Sequence, residues 1–151
     1  MSEEKYFEDF ALGDRFRVAS KTLTDAHFLL FSALTGDTHP IHYDVEYAKK
    51  TRFGRPVAHG YLVTILTAMG ASTLNWAVEH SIVAFVEQSS RMLKPVFVGD
   101  TLTPEGEVVE LIPGRSQGRV RFRTWVTNQH GEVVLEGSQT YLVKRRVPLA
   151  E

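Results

Sequence analysis

The chain has 151 residues, with an apolar fraction of 43%, a charged fraction of 23% and a formal net charge of −1. This length fits one domain, 1–151, better than two, and the near-neutral charge gives no reason to expect nucleic acid or an anionic membrane as a partner. The lack of cysteine excludes disulfides, thiolate zinc sites and cysteine nucleophiles, and it suits a reducing cytoplasm. The acidic, aromatic start and the short apolar stretches predict neither a secretory signal nor a membrane span.

Helical signals come first along the chain and strand signals follow, which is typical of α+β proteins with segregated elements. A first helix is predicted over Asp25–Thr35, with Thr24 as its cap and Gly36 at its end. A short helix is predicted over 45–50. The segment 60–78 is apolar on most sides, so it is predicted to be one long buried helix.

Strand signals dominate the second half of the chain. Four strands are predicted, at 82–93, 101–112, 119–127 and 133–145. Gly106 is a candidate bulge in the second of them. In the third, Arg119, Arg121 and Arg123 are predicted to face one way and Val120, Phe122 and Thr124 the other. A fifth strand is predicted at 15–21. Short turns between consecutive strands predict an antiparallel sheet curled around the buried helix.

The densest group of chemically active side chains lies around Pro40. A loop there can turn Asp37 and His42 toward one point. Histidine titrates near neutral pH and a carboxylate in an apolar pocket can have a raised pKa, so the pair suits general acid–base chemistry on water. Two other interpretations stay open from the residues alone. Asp37 and His42 could be ordinary loop residues, or His39 and His42 could bind a metal with Asp37 or Asp44.

A second segment, 54–62, leads into the apolar helix. Free backbone N–H groups and the helix dipole attract negative charge at a helix start, and Gly60 leaves room for a ligand to approach closely. A thioester carbonyl placed there would be polarised, and one such donor contributes about 2.7–4 kcal/mol to a transition state. The alternative is that Gly60 only eases the entry into the helix and that His59 caps it.

These segments, in this order, resemble the MaoC-like dehydratases and (R)-specific enoyl-CoA hydratases. The family pattern is an aspartate, two residues, a proline, one residue and a histidine, followed by Ala-His-Gly. This chain has Asp37-Thr38-His39-Pro40-Ile41-His42 and then Ala58-His59-Gly60. The Pro-Val-Phe-Val-Gly-Asp loop at 95–100 and the opening at 6–14 are also similar to the family, so the resemblance covers essentially the whole chain.

The resemblance implies an α+β hot-dog fold, in which a curled antiparallel sheet of about five strands wraps around one long central helix, and a homodimer or larger homo-oligomer. It implies an acyl-CoA thioester as substrate, with Asp37 and His42 catalysing hydration of a 2-enoyl thioester or the reverse dehydration, and the Gly60 N–H binding the thioester oxygen. Four further residues are expected to bind substrate: His39, Pro40, His59 and Tyr61. No cofactor or metal is expected, because the thioester already acidifies the α-carbon and coenzyme A is part of the substrate.

Two positions depart from the family pattern. His39 stands where the family usually has asparagine, and Ala68 stands where several hydratases carry a serine. Thr64 or Thr67 could replace that serine. These changes make polar, branched or dicarboxylic acyl groups worth testing.

Two other functions are compatible with the same fold. A thioesterase with a carboxylate on the central helix is disfavoured, because residues 60–78 contain no aspartate or glutamate. A non-catalytic acyl-CoA-binding protein stays an alternative.

Candidate contacts for the coenzyme A phosphates are Arg52, Arg55 and Lys94. The arginines of the third strand are further candidates, although a solvated face is the simpler interpretation for them.

Overall fold

The computed structural model describes residues 3–149, which contain one antiparallel sheet of six strands. The strands are β1 (Arg15–Arg17), β2 (Lys21–Thr22), β3 (Ile82–Met92), β4 (Thr101–Ile112), β5 (Gln117–Thr127) and β6 (Val133–Lys144). Their order is β1-β4-β5-β6-β3, and β2 also pairs with β4. The long strand β3 therefore lies at one end of the sheet.

The helices precede the long strands along the chain. They are α1 (Asp25–Thr35), α2 (Val45–Ala48), α3 (Gly60–Ile65) and α4 (Leu74–Ala77), with 3-10 turns at Phe7–Asp9, Pro40–His42 and Met69–Ala71. The prediction for α1 is confirmed at both ends. Thr24 occupies the cap position, and Gly36 ends the helix in the left-handed conformation with φ 76°. Glycine adopts that conformation without the steric cost that a Cβ would bring.

The central segment is not the single long helix predicted over 60–78. It consists of α3, the 3-10 turn Met69–Ala71 and α4. Thr67 explains the break, because its Oγ1 donates to the Thr64 carbonyl at 2.7 Å and the Gln139 amide donates to the Thr67 carbonyl at 3.1 Å. These side-chain bonds occupy backbone oxygens that a continuous helix would use. The apolar composition predicted burial of the whole segment. Only one side is buried, since Tyr61 and Trp76 are exposed.

The strand predictions are confirmed apart from a few details. β4 has the predicted bounds, and β3, β5 and β6 differ by one or two residues at their ends. The strand predicted at 15–21 is divided into β1 and β2. The bulge predicted at Gly106 is wrong, because Gly106 pairs regularly with Phe16 and Thr124, and the irregularity lies between Val108 and Glu110. Gly106 instead makes room for the Phe16 ring, which a Cβ would overlap.

The core consists of two apolar clusters on the helical side of the sheet. One contains Phe16, Phe122 and Met69, and the other contains Phe28, Leu62 and Leu135. On β5 the predicted alternation is confirmed, with Val120, Phe122 and Thr124 buried beneath outward arginines. The second cluster anchors α1 and α3, and so positions the loops that carry the candidate site. The architecture is the predicted α+β hot-dog fold, with six strands in place of about five and with a central segment divided into α3, a 3-10 turn and α4.

Candidate active site

The loop after α1 is folded by its own polar groups. The Asp37 N–H donates to Thr35 Oγ1 at 3.2 Å, and the His39 N–H donates to Asp37 Oδ1 at 3.4 Å. Pro40 begins the 3-10 turn that leads to His42. The Tyr43 hydroxyl closes the loop by donating to the Thr38 carbonyl at 2.9 Å. This short, closed loop brings Asp37 and His42 to the same place, as predicted.

The orientation of His42 follows from one hydrogen bond. Its Nδ1 lies 2.7 Å from the Val57 carbonyl. A carbonyl oxygen only accepts, so Nδ1 carries the proton and Nε2 of the neutral ring keeps its lone pair. The Val57 N–H in turn donates to the Ile41 carbonyl at 3.2 Å, which ties the two motif segments together. His42 therefore presents an available base at Nε2.

His59 lies beneath this pair and connects its members. Its side chain is 2% exposed, and its ring stacks on the His42 ring at 3.6 Å. Nε2 donates to the Asp37 backbone carbonyl at 3.2 Å and lies 3.1 Å from Ser32 Oγ, whereas the buried Nδ1 has no hydrogen-bond partner among residues 3–149. Although His59 holds the cap position of α3, its side chain makes no cap bond. This burial favours a positioning role for His59 over the predicted contact with substrate.

Burial also affects the charge of His59. It is the main cause that lowers the His59 pKa below the ordinary value of 6.5, and the charge of His42 lowers it further. The backbone bond to Asp37 and the Asp37 carboxylate act in the opposite direction but are weaker. The lowered pKa favours the neutral form of the His59 ring.

Asp37 lies in a different environment from the one predicted. It is exposed in the single chain, so the expected apolar pocket around its carboxylate does not form within one subunit. Its nearest functional neighbours are close nonetheless, because Asp37, His42 and His59 each offer an atom within 4.8 Å of the others. That space suits a water molecule, and a metal ion is the competing occupant.

The metal set considered from the sequence is not the one that the fold assembles. Asp44 uses its Oδ1 to cap α2, accepting from the Tyr47 N–H at 2.9 Å. His39 Nδ1 accepts from the Ile41 N–H at 3.2 Å. Within the described part of the chain, the group able to hold an ion is Asp37 with His42 and His59. His39 remains exposed above the site, and Pro40 is half-buried in the turn.

Gly60 lies at the meeting point of two clefts. As the first residue of α3, it has an N–H with no partner inside the helix. One cleft, of about 290 Å³, has Gly60, Val63 and Arg52 among its lining residues. The other, of about 480 Å³, is lined by Gly60, Tyr61, Thr64, Gln88, Ser90 and Met92. Tyr61, which is 78% exposed, therefore lies where substrate contact was predicted.

The structure distinguishes the two threonines proposed in place of the family serine. Thr64 lines the second cleft, and its Oγ1 donates to the Gly60 carbonyl at 3.0 Å. Thr67 is fully buried and bonded to Gln139, away from the clefts. Sequence reasoning missed Met92, Ser32 and the Val57 carbonyl. Their positions depend on long-range packing, and no local pattern indicates them.

A family model described as "MaoC like domain" matches residues 9–130. The chain belongs to this family. It is 35% identical over 141 residues to an (R)-specific enoyl-CoA hydratase from Rhodospirillum rubrum, with 93% of each chain covered. It is 30% identical over 142 residues to a 3-hydroxybutyryl-CoA dehydratase from Methylorubrum extorquens, covering 93% of this chain and 85% of the relative.

The fold of this MaoC-like chain is also found among solved structures. The monoamine oxidase regulatory protein from Archaeoglobus superposes with a TM-score of 0.90 and 35% sequence identity, covering 96% of this chain and 97% of the other. Among residues 3–149, no helix is long and apolar enough to cross a membrane.

Proposed function

We propose that this MaoC-like protein is an enoyl-CoA hydratase/dehydratase, a lyase that adds water to a 2-enoyl-CoA or removes it from a 3-hydroxyacyl-CoA. The observation that supports this most strongly is the pairing of an exposed Asp37 carboxylate with the His42 ring, which have ligand atoms within 4.8 Å of each other, while the Val57 carbonyl holds the His42 proton at Nδ1 and leaves Nε2 as the base. Two named relatives perform chemistry of this class, and both match nearly the whole chain.

The pair would act on one water molecule. One member takes a proton from the water as its oxygen bonds to C3 of the enoyl group, and the other member delivers a proton to C2. The electrons of the double bond pass through the thioester as an enolate, which returns to the carbonyl when C2 is protonated. Positioned proton transfer of this kind contributes roughly 10²–10⁴ in rate.

The Gly60 N–H would stabilise the enolate oxygen. It is unpaired within α3, and both clefts reach it. The second cleft contains the hydroxyl or amide groups of Tyr61, Thr64, Gln88 and Ser90 beside Met92. Thr64, Gln88 and Ser90 could hydrogen-bond a polar acyl substituent, so the proposed substrates include short or polar acyl groups.

The functional unit would be a homodimer formed along β3. This strand has 11 residues, lies at the end of the sheet and leaves Val83, Val86 and Met92 exposed. A long exposed strand edge with apolar side chains in its first half is normally covered by another strand. Met92 also lines both clefts. A second copy along β3 would therefore enclose the exposed site. The cytoplasmic location of the protein stays a prediction.

The test is the loss of enoyl-thioester absorbance with a panel of linear, methyl-branched and dicarboxylic 2-enoyl-CoA substrates. We expect Asp37→Asn and His42→Ala each to lose roughly 10²–10⁴ in kcat while keeping the wild-type circular dichroism. Asp44→Asn is the matched control. It changes an exposed aspartate of the same loop whose capping role asparagine retains, so its turnover should equal that of the wild type.

Other outcomes would point to other functions. Binding of CoA thioesters without hydration would support a non-catalytic protein, and release of free thiol would support a thioesterase. Loss of activity on treatment with EDTA, restored by a divalent ion, would show that the Asp37 cluster acts through a metal.

A further inference from the structure

The segment 49–55, Lys-Lys-Thr-Arg-Phe-Gly-Arg, carries four cationic residues next to the candidate site. Lys49 is neutralised by Glu46 at 2.6 Å. Arg52 and Arg55 have no carboxylate within ion-pair distance among residues 3–149, in contrast to Arg15, Arg121 and Arg145. Positive charge is therefore left uncompensated on this loop.

Aromatic rings hold both guanidinium groups in place. Arg52 lies over the Phe53 ring at 4.8 Å from its centroid, and Arg55 lies over the Phe97 ring at 4.0 Å. The two rings contact each other edge to face, with centroids 6.5 Å apart. A guanidinium stacked on a ring keeps its N–H donors free in its own plane, and the planar donor fork matches a phosphate group. The cluster thus presents two guanidinium groups, each stacked on a ring, as donors for an anion.

A cleft connects this cluster to the proposed reaction site. The cleft of about 290 Å³ has Arg52 and Phe53 at one part of its wall and Gly60 at another. The rest of the wall is mostly apolar and includes Val57, Val63 and Val96. Lys94 also lines the cleft, but it is paired with Glu132. The cleft therefore has the Gly60 N–H as a donor for a thioester oxygen, mostly apolar walls, and the positive charge of Arg52.

We infer that Arg52 and Arg55 bind the phosphate groups of the coenzyme A nucleotide, with the pantetheine arm in the cleft that ends at Gly60. This inference rests on the proposed function. A phosphate on an acyl carrier protein would offer related chemistry. The nucleotide is favoured because two ordered guanidinium groups stacked on neighbouring rings match several phosphates on one small molecule.

The experiment compares 2-butenoyl-CoA with 2-butenoyl-pantetheine, which has the same reacting group but no nucleotide. For Arg52→Gln/Arg55→Gln we expect KM for the CoA thioester to rise about tenfold, as expected for lost charge-assisted hydrogen bonds. We expect kcat, and all kinetics with the pantetheine thioester, to stay at wild-type values. Arg17→Gln is the control, since Arg17 is an exposed arginine on β1, at the opposite end of the sheet from β3.

Calorimetry with adenosine 3′,5′-bisphosphate gives a second measurement that needs no turnover. Weaker binding to the double variant than to Arg17→Gln would support the inference even if no thioester were hydrated, in which case only the proposed function would fail. Equal losses with both thioesters, or unchanged bisphosphate binding, would overturn it. A loss seen only with a 2-butenoyl acyl carrier protein would assign the arginines to that partner instead and would also overturn it.

Discussion

At the scale of single residues, His59 links the two members of the candidate catalytic pair. Its ring stacks on His42, and its Nε2 donates to the backbone of Asp37. The sequence motif placed His59 beside Gly60 and suggested that it binds substrate. Its burial favours a positioning role, because a buried ring that contacts both members can hold the pair in place. The Val57 carbonyl acts similarly by selecting the His42 tautomer.

The lowered pKa of His59 predicts a pH dependence of stability. The unfolded chain takes up a proton at this histidine near its ordinary value of 6.5, but burial, the main cause of the shift, delays protonation in the folded state. The stability contribution is therefore complete above 6.5 and decreases as pH falls below it. We expect His59→Phe, which cannot be protonated, to lose less unfolding free energy than the wild type between about pH 7.5 and 5.5.

Urea denaturation at the two pH values measures this difference. His59→Gln should show the same weaker pH dependence, which would separate the effect of the lost proton site from that of the aromatic ring. An unchanged pH dependence in both variants would contradict the assignment of the shift to His59.

At the scale of elements, the central segment differs most from its prediction. Residues 60–78 have a helical, apolar composition, yet Thr67 and Gln139 interrupt the helix between the two core clusters. Hydrophobic periodicity depends only on residues close in sequence. It therefore cannot predict the contact with Gln139 of β6, which lies 72 residues after Thr67. α1 and the long strands were predicted well because their caps, turns and alternation are local signals.

Two threonines with no exposed surface provide a matched test of this polar contact. Thr67 Oγ1 donates to the Thr64 carbonyl and accepts from Gln139, whereas Thr124 Oγ1 has no partner among the described residues. We expect Thr67→Val to lower the unfolding free energy by about 1–3 kcal/mol, because it leaves a buried amide hydrogen bond unmade. Thr124→Val should be neutral or stabilising. Urea unfolding measures both, and equal effects would contradict this account.

At the scale of the whole molecule, the single chain leaves its site open. Asp37 is exposed, both clefts reach Gly60, and the neighbouring β3 presents a free edge with exposed apolar side chains. These features are consistent with a site that is closed by a second copy. Closure would also supply the apolar surroundings that the sequence motif led us to expect around the carboxylate.

A charge on β3 tests the proposed dimer. We expect Val86→Arg to convert the protein to a monomer and to abolish hydration, because the arginine would be buried without a partner at the interface. Val109→Arg is the control on β4, since the two valines are similarly exposed, at 47% and 45%, and β4 is an inner strand in the sheet order, away from the β3 edge. Light scattering after gel filtration gives the mass. A Val86→Arg variant that stays dimeric would contradict the proposal.

The sequence by itself determined the family, the order of the elements and the grouping of Asp37 with His42. Those features depend on short-range patterns, namely a closed loop around Pro40, a glycine after α1 and alternating strands. Only the tertiary structure decided that His59 lies beneath the pair, that Thr64 and not Thr67 reaches the cleft, and that Arg52 and Arg55 stack on Phe53 and Phe97. Contacts between distant segments depend on how the sheet and helices pack, and local composition does not encode that packing.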